Sequence, residues 1–155
     1  MVPFLVLVLS FVILRGVGLV GVEALNNVDL PLRIALFLMF LVGASAHWGK
    51  GRPDLIRMVP PVFPHPEFLV TMTGVLEILG AFGLLVPVTS RFAAFSLSIL
   101  LLAVFPANVR AAREHLTILG RPVPGLFVRT VIQLVFISAL MAVALHESLH
   151  PLLRF

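Results

Sequence analysis

The chain has 155 residues, 60% of them hydrophobic and only 12% charged, with a mean hydropathy of +1.14, more apolar surface than a water-soluble protein of this size buries. Its formal charge of +4 comes from basic residues gathered mostly in two loops, where membrane orientation explains them, so no nucleic-acid partner is inferred. The absence of cysteine excludes thiol–disulfide chemistry, thiolate metal sites and iron–sulfur ligation by this chain itself, and any redox role must be borrowed from a partner or cofactor.

Five apolar stretches are predicted as membrane-spanning helices, at residues 2–22, 30–47, 68–86, 92–109 and 126–145. A hydrocarbon core of about 30 Å needs about 20 residues at 1.5 Å rise each, and about 17–25 are tolerated. No segment alternates apolar and polar residues as a transmembrane barrel would. The fold class is therefore all-α, a polytopic membrane protein whose first solvent partner is the lipid bilayer, with no soluble domain expected outside it. The first stretch has no positively charged leader and is too long for a secretory signal, so it is read as a retained helix.

Between the second and third stretches, residues 49–67 carry five prolines, which fix φ and stiffen the loop after a short amphipathic turn at 53–59. It is either a lid or docking surface for a cytoplasmic partner, or a re-entry loop lying on the head groups. With five crossings this loop shares a face with residues 110–125, and together they hold Lys50, Arg52, Arg57, Arg110, Arg113 and Arg121. The opposite face holds Arg33, Arg91 and Arg154. Basic loops stay in the cytoplasm, which places the N-terminus inside and the C-terminus outside a bacterial or archaeal cytoplasmic membrane.

Polar residues inside apolar stretches are costly and call for partners. Arg15 in the first helix and Glu77 in the third lie at similar depth and are candidates for an intramembrane ion pair; the alternative is that Arg15 snorkels and Glu77 stays neutral and hydrogen-bonded. Helical spacing puts Thr73, Gly74, Gly80 and Ala81 on the face of Glu77, a surface small enough for close helix approach. In the fourth helix Pro106 is expected to kink the chain and free the carbonyl of Leu102 beside Asn108. The fifth adds Arg129, Thr130 and Gln133. His47, Glu77, Asn108, Arg129 and Gln133 are candidates to line one polar crevice that binds a ligand or relays protons, although His47 also reads as an interfacial residue beside Trp48. Only His47 approaches a helix interior, so paired-histidine haem ligation is not expected; no metal-ligand spacing, phosphate loop or nucleophile elbow is present.

The segments His47-Trp48, Arg57-Met58-Val59-Pro60-Pro61, the run from Thr73 to Pro87 containing Gly74-x-x-Glu77-x-x-Gly80, and Phe105-Pro106-Ala107-Asn108-Val109 together resemble the DoxX family of small membrane proteins, over residues 30–145. The resemblance implies a four-helix transmembrane domain at 30–155, with residues 1–29 an additional N-terminal helix. It also implies an accessory subunit of a quinone-linked oxidoreductase or redox-stress complex. In that role the crevice around Glu77 would take a quinone head group or relay its protons, and a membrane or cytoplasmic partner would hold the redox centre. The residues themselves leave a second class open, a non-enzymatic protein that binds a small apolar ligand or anchors or chaperones a partner. An enzyme acting alone, or a cofactor bound by this chain alone, is not expected.

Overall fold

The structure is a computed structural model that describes residues 1–149, with side chains through His146; His150 and Arg154, both expected on the outer face, lie outside the described residues. The described chain is mostly helical. Helix α1 (Val2–Leu19) opens with Pro3, whose missing N–H falls where helix donors are unpaired in any case. The chain then turns at Gly21, with φ of +134°, into a 3₁₀ turn at Glu23–Leu25. That turn lies so close to α1 that a Cβ at Gly18 would stand 2.2 Å from the Leu25 carbonyl oxygen. Helix α2 (Asp29–Ser45) follows, then the short α3 (Arg52–Met58), α4 (Pro66–Leu85), α5 (Pro87–Ala103), α6 (Phe105–Arg113), a two-residue hairpin of β1 (Thr117–Ile118) with β2 (Arg121–Pro122), and α7 (Leu126–Leu149).

Packing makes a closed ring of four: α2 lies on α4, α4 on α5, α5 on α7, and α7 on α2. Helix α1 docks outside the ring against α2. The ring has two ends. At one, called here the basic end, α3 packs against α6 and β1, which brings the 49–67 and 110–125 segments together. Leu119 and Gly120 both have positive φ, at 52° and 73°, the pattern of a tight hairpin turn between β1 and β2. Asp54 on α3 accepts the Leu119 N–H at 2.8 Å and a bond from Arg57, and Arg110 of α6 donates to the Val59 carbonyl.

At the far end the ring is filled. Ala35, Leu36, Met39 and Phe40 of α2 meet Ala81 and Leu84 of α4, Ala94 and Leu97 of α5, and Leu140, Val143 and Ala144 of α7. Phe37 and Phe82 pack edge to face at 5.2 Å. A Cβ at Gly80 would stand 2.5 Å from Leu97, so glycine there sets how closely α4 and α5 approach. The α4–α5 corner also satisfies its own backbone. Pro87 has no N–H to offer Gly83, and the Thr89 hydroxyl donates to that carbonyl at 2.9 Å instead. The next two carbonyls, of Leu84 and Leu85, accept from Arg33 Nε and Nη2 at 2.6 and 2.9 Å. Arg33 is 5% exposed, and Asp29 one turn back accepts from its Nη1 at 3.3 Å.

Two expectations change here. The kink expected at Pro106 takes the form of a one-residue break at Val104, with Pro106 seated in the first turn of α6, and the stretch is longer than 92–109, since Pro87 starts α5 five residues earlier and α6 runs on to Arg113. The predicted carbonyl, that of Leu102, is not the one whose new partner is seen. The Leu101 carbonyl accepts from Gln133 Nε2 at 2.9 Å.

Among the described residues, four helical segments are long and apolar enough to cross a membrane: Val2–Leu19, Pro66–Leu85, Pro87–Arg113 taken through its break, and Leu126–His146. Their large apolar side chains point mostly outward, among them Leu5, Leu9, Val12, Leu79, Phe92, Ile99 and Leu134. Such an outward apolar surface is stable against lipid tails and would aggregate in water. Helix α2 is 17 residues long and carries Asp29 and Arg33.

Candidate functional site

The ring that is packed at its far end opens toward its basic end into a cavity of about 500 Å³. Its wall is largely apolar, with Leu69 and Met72 of α4, Leu100, Leu101 and Val104 around the α5 break, and Leu55, Met58, Val59, Pro60 and Phe63 from α3 and the proline-rich segment after it. The 49–67 loop thus forms part of the cavity wall. The polar residues of this apolar wall are Thr73, whose hydroxyl returns to the Leu69 and Val70 carbonyls of its own helix, and four of the candidates, His47, Glu77, Asn108 and Arg129. Gln133 is buried behind them. All five candidates are therefore brought together, four on the cavity surface and one as its support.

One pair lies on the α2–α4 side. His47 follows the end of α2 and is 9% exposed. Its Nδ1 lies 2.6 Å from the Val70 carbonyl of α4, and because a carbonyl can only accept, Nδ1 carries the hydrogen. Gly74 makes room for it: a Cβ there would stand 2.7 Å from His47 Cβ and 2.8 Å from the Trp48 ring. Arg52 donates to the carbonyls of His47 and Glu67 at 2.9 and 3.2 Å and holds the end of α2 to the start of α4. The tautomer leaves Nε2 facing Glu77 Oε2 at 3.6 Å. A neutral imidazole Nε2 and an ionised carboxylate would present two lone pairs to each other, so a single proton shared by this pair decides whether they attract.

The other pair lies on the α6–α7 side and depends on the helix break. Gln133 Nε2 donates to the Leu101 carbonyl, Gln133 Oε1 accepts from Asn108 Nδ2 at 3.0 Å, and Asn108 Oδ1 accepts from Arg129 Nη2. Each amide is oriented by the next, so the whole chain of bonds is set by one freed carbonyl. Thr130, expected beside them, returns its hydroxyl to Leu126 of its own helix at 2.9 Å.

The candidate pair of Arg15 with Glu77 does not form. Arg15 Nη1 donates to the carbonyls of Leu25 and Asn27 at 2.9 and 3.1 Å. Arg15 is held at the turn before the start of α2, whereas Glu77 faces His47 just past the other end of that helix, and α1 docks on α2, which stands between it and α4. The glycines around Glu77 also serve two neighbours and not one, Gly74 facing His47 of α2 and Gly80 facing Leu97 of α5. What the sequence reading missed is Arg33, counted only as a loop charge; its place inside an apolar run, one turn after Asp29, was the same signal that singled out Glu77.

A family model described as "Domain of unknown function (DUF8561)" matches residues 35–146, which is most of the chain. The chain belongs to the DUF8561 family. No curated protein and no solved structure matches it. The DUF8561 match begins within α2 and leaves α1 outside; His47, Glu77, Asn108, Arg129 and Gln133 all fall inside, and Arg15 does not.

Proposed function

We propose that this DUF8561 protein is an integral membrane protein that holds a small apolar ligand with a hydrogen-bond-accepting head, of the quinone class, in the cavity at its basic end. The observation that carries the reading is the placing of His47–Glu77 and Asn108–Arg129 in the wall of one apolar cavity, whose volume falls in the roughly 300–1,000 Å³ range of small-molecule sites. The Glu77 carboxyl, when it keeps its proton, donates to a ligand carbonyl oxygen or passes that proton to His47 Nε2, which faces it. The DoxX resemblance supports the wider role, a membrane subunit of a quinone-linked oxidoreductase or redox-stress complex whose redox centre sits in a partner protein. Purified protein should bind a quinone analogue saturably; Glu77→Gln should keep binding, Glu77→Leu should weaken it, and partner-dependent turnover should fall in both. Absence of saturable quinone binding, with Glu77→Leu affecting stability alone, overturns the reading and favours a non-enzymatic protein that anchors or chaperones a partner.

In the same proposal the chain crosses the cytoplasmic membrane of a bacterium or archaeon five times, N-terminus inside. Helix α2 supports the fifth crossing: 17 residues at 1.5 Å span about 26 Å, just enough for a hydrocarbon core. The cavity then opens to the cytoplasmic side. Reporter fusions should place His65 and His115 in the cytoplasm and the end of the chain outside; an even number of crossings, or an external 49–67 loop, contradicts it.

A further inference from the structure

The two polar sides of the cavity differ in how their charge is answered. Glu77 is the acidic residue of the wall, and it faces His47. Arg129, on the diagonally opposite helix of the ring, has no ion pair among the described residues. Its guanidinium makes one hydrogen bond, to Asn108, and its Nε is buried without a partner. Asn108 supplies no charge and cannot turn away, since its amide is held by Gln133 and, through Gln133, by the Leu101 carbonyl. A cation at the end of a fully oriented amide chain, set in an apolar wall and lacking a counter-ion, is costly unless something else completes it. A guanidinium is the group best suited to a planar, delocalised oxyanion.

We propose that Arg129 is an anion subsite, so that the cavity takes an apolar molecule bearing one oxyanion, the chemistry of a long-chain carboxylate or of an ionised hydroxyquinone. This rests on the reading of the cavity as a ligand site. The oxyanion pairs with Arg129, the apolar body lies along Leu69, Met72, Leu100 and Leu101, and the His47–Glu77 pair, holding its proton, offers a donor to any second oxygen. The volume of about 500 Å³ suits a ring or a single chain.

The test is calorimetric titration of the full chain in neutral detergent with four probes: oleate, oleyl alcohol, an alkyl hydroxynaphthoquinone and its methoxy ether. The charged member of at least one couple should bind on the order of tenfold or more tighter than its neutral twin, the size expected for a hydrogen bond to a charged group. Arg129→Gln should remove that preference, and Arg129→Lys should restore part of it. Which couple shows the preference identifies the source of the oxyanion. Equal binding of charged and neutral probes to the native chain overturns the subsite, and describes an arginine that only reaches toward head-group water. That comparison needs no variant, so it decides even if Arg129→Gln fails to fold. Binding of both quinone probes, with no charge preference in either couple, leaves the quinone reading standing and removes the subsite. Arg129-dependent oleate binding without quinone binding does the reverse.

Discussion

The two ends of the ring are built from the same four helices, yet one is closed and the other hollow, and the contrast is clearest in their arginines. At the far end, Arg33 gives Nε and Nη2 to the two carbonyls that end α4 and pairs with Asp29. Small and branched apolar side chains fill the space around it. At the basic end, Arg129 makes one bond, to Asn108, beside a cavity of about 500 Å³. A buried cation whose donors go to two helix-end carbonyls and a carboxylate is a fastener. A half-buried one with donors left over, in an apolar wall, is a place where a ligand gains something the protein lacks.

The sharpest way to break the contrast is to remove each arginine in turn. Arg33→Leu strands two helix-end carbonyls and Asp29, and should cost about 3–5 kcal/mol, read as a large fall in melting temperature in detergent. Arg129→Leu removes a cation with no counter-ion and should leave the melting temperature near the native value or raise it. Equal losses for the two would mean that both ends are structural.

Glycine substitutions probe the same difference at smaller scale. At Gly80→Ala the new Cβ meets Leu97, 1% exposed and with nowhere to move, and should cost about 1–3 kcal/mol of stability. At Gly43→Ala, facing the cavity, the Cβ would stand 3.7 Å from Glu77 Oε2, an ordinary contact. Here stability should hold or rise by up to about 1 kcal/mol, because alanine is the better helix former, while ligand affinity changes. A stable Gly80→Ala chain would show that the far end is looser than its packing indicates.

The smallest expected effect concerns the clasp between α3 and the hairpin. The Leu119 N–H, with Arg57 beside it, holds the Asp54 carboxyl below its ordinary range. A carboxylate with a depressed folded pKa contributes above its unfolded pKa and loses that contribution as pH falls through the folded one. The Leu119 amide resonance should therefore stay unchanged from neutral pH down to the usual aspartate range, near pH 4, and move only below it. In Asp54→Asn that low-pH movement should disappear. A shift of the native resonance near neutral pH would assign the contact to another group.

Composition and periodicity alone determined that the chain is helical and apolar enough for lipid, because hydrophobic runs of this length have few other solutions. They also marked Glu77, Asn108, Arg129, Gln133 and His47 as residues with a cost to explain. Spacing along a helix states depth, and depth was enough to bring those five to one level. It does not state which helix stands beside which. The wrong Arg15–Glu77 pair follows from that gap, since α1 docks on α2 with Arg15 at the turn before that helix, while Glu77 on α4 faces His47 past its other end. The His47 tautomer depends on the Val70 carbonyl, 23 residues away. The Arg129–Asn108–Gln133 chain depends on a carbonyl released by a break one turn earlier than Asn108. Arg33 was visible in the sequence as a charge, but its work is to end another helix 51 residues later. These were decided only by tertiary structure, for a physical reason: a hydrogen bond needs its partner within about 3 Å, and for these groups only the closing of the ring sets that distance.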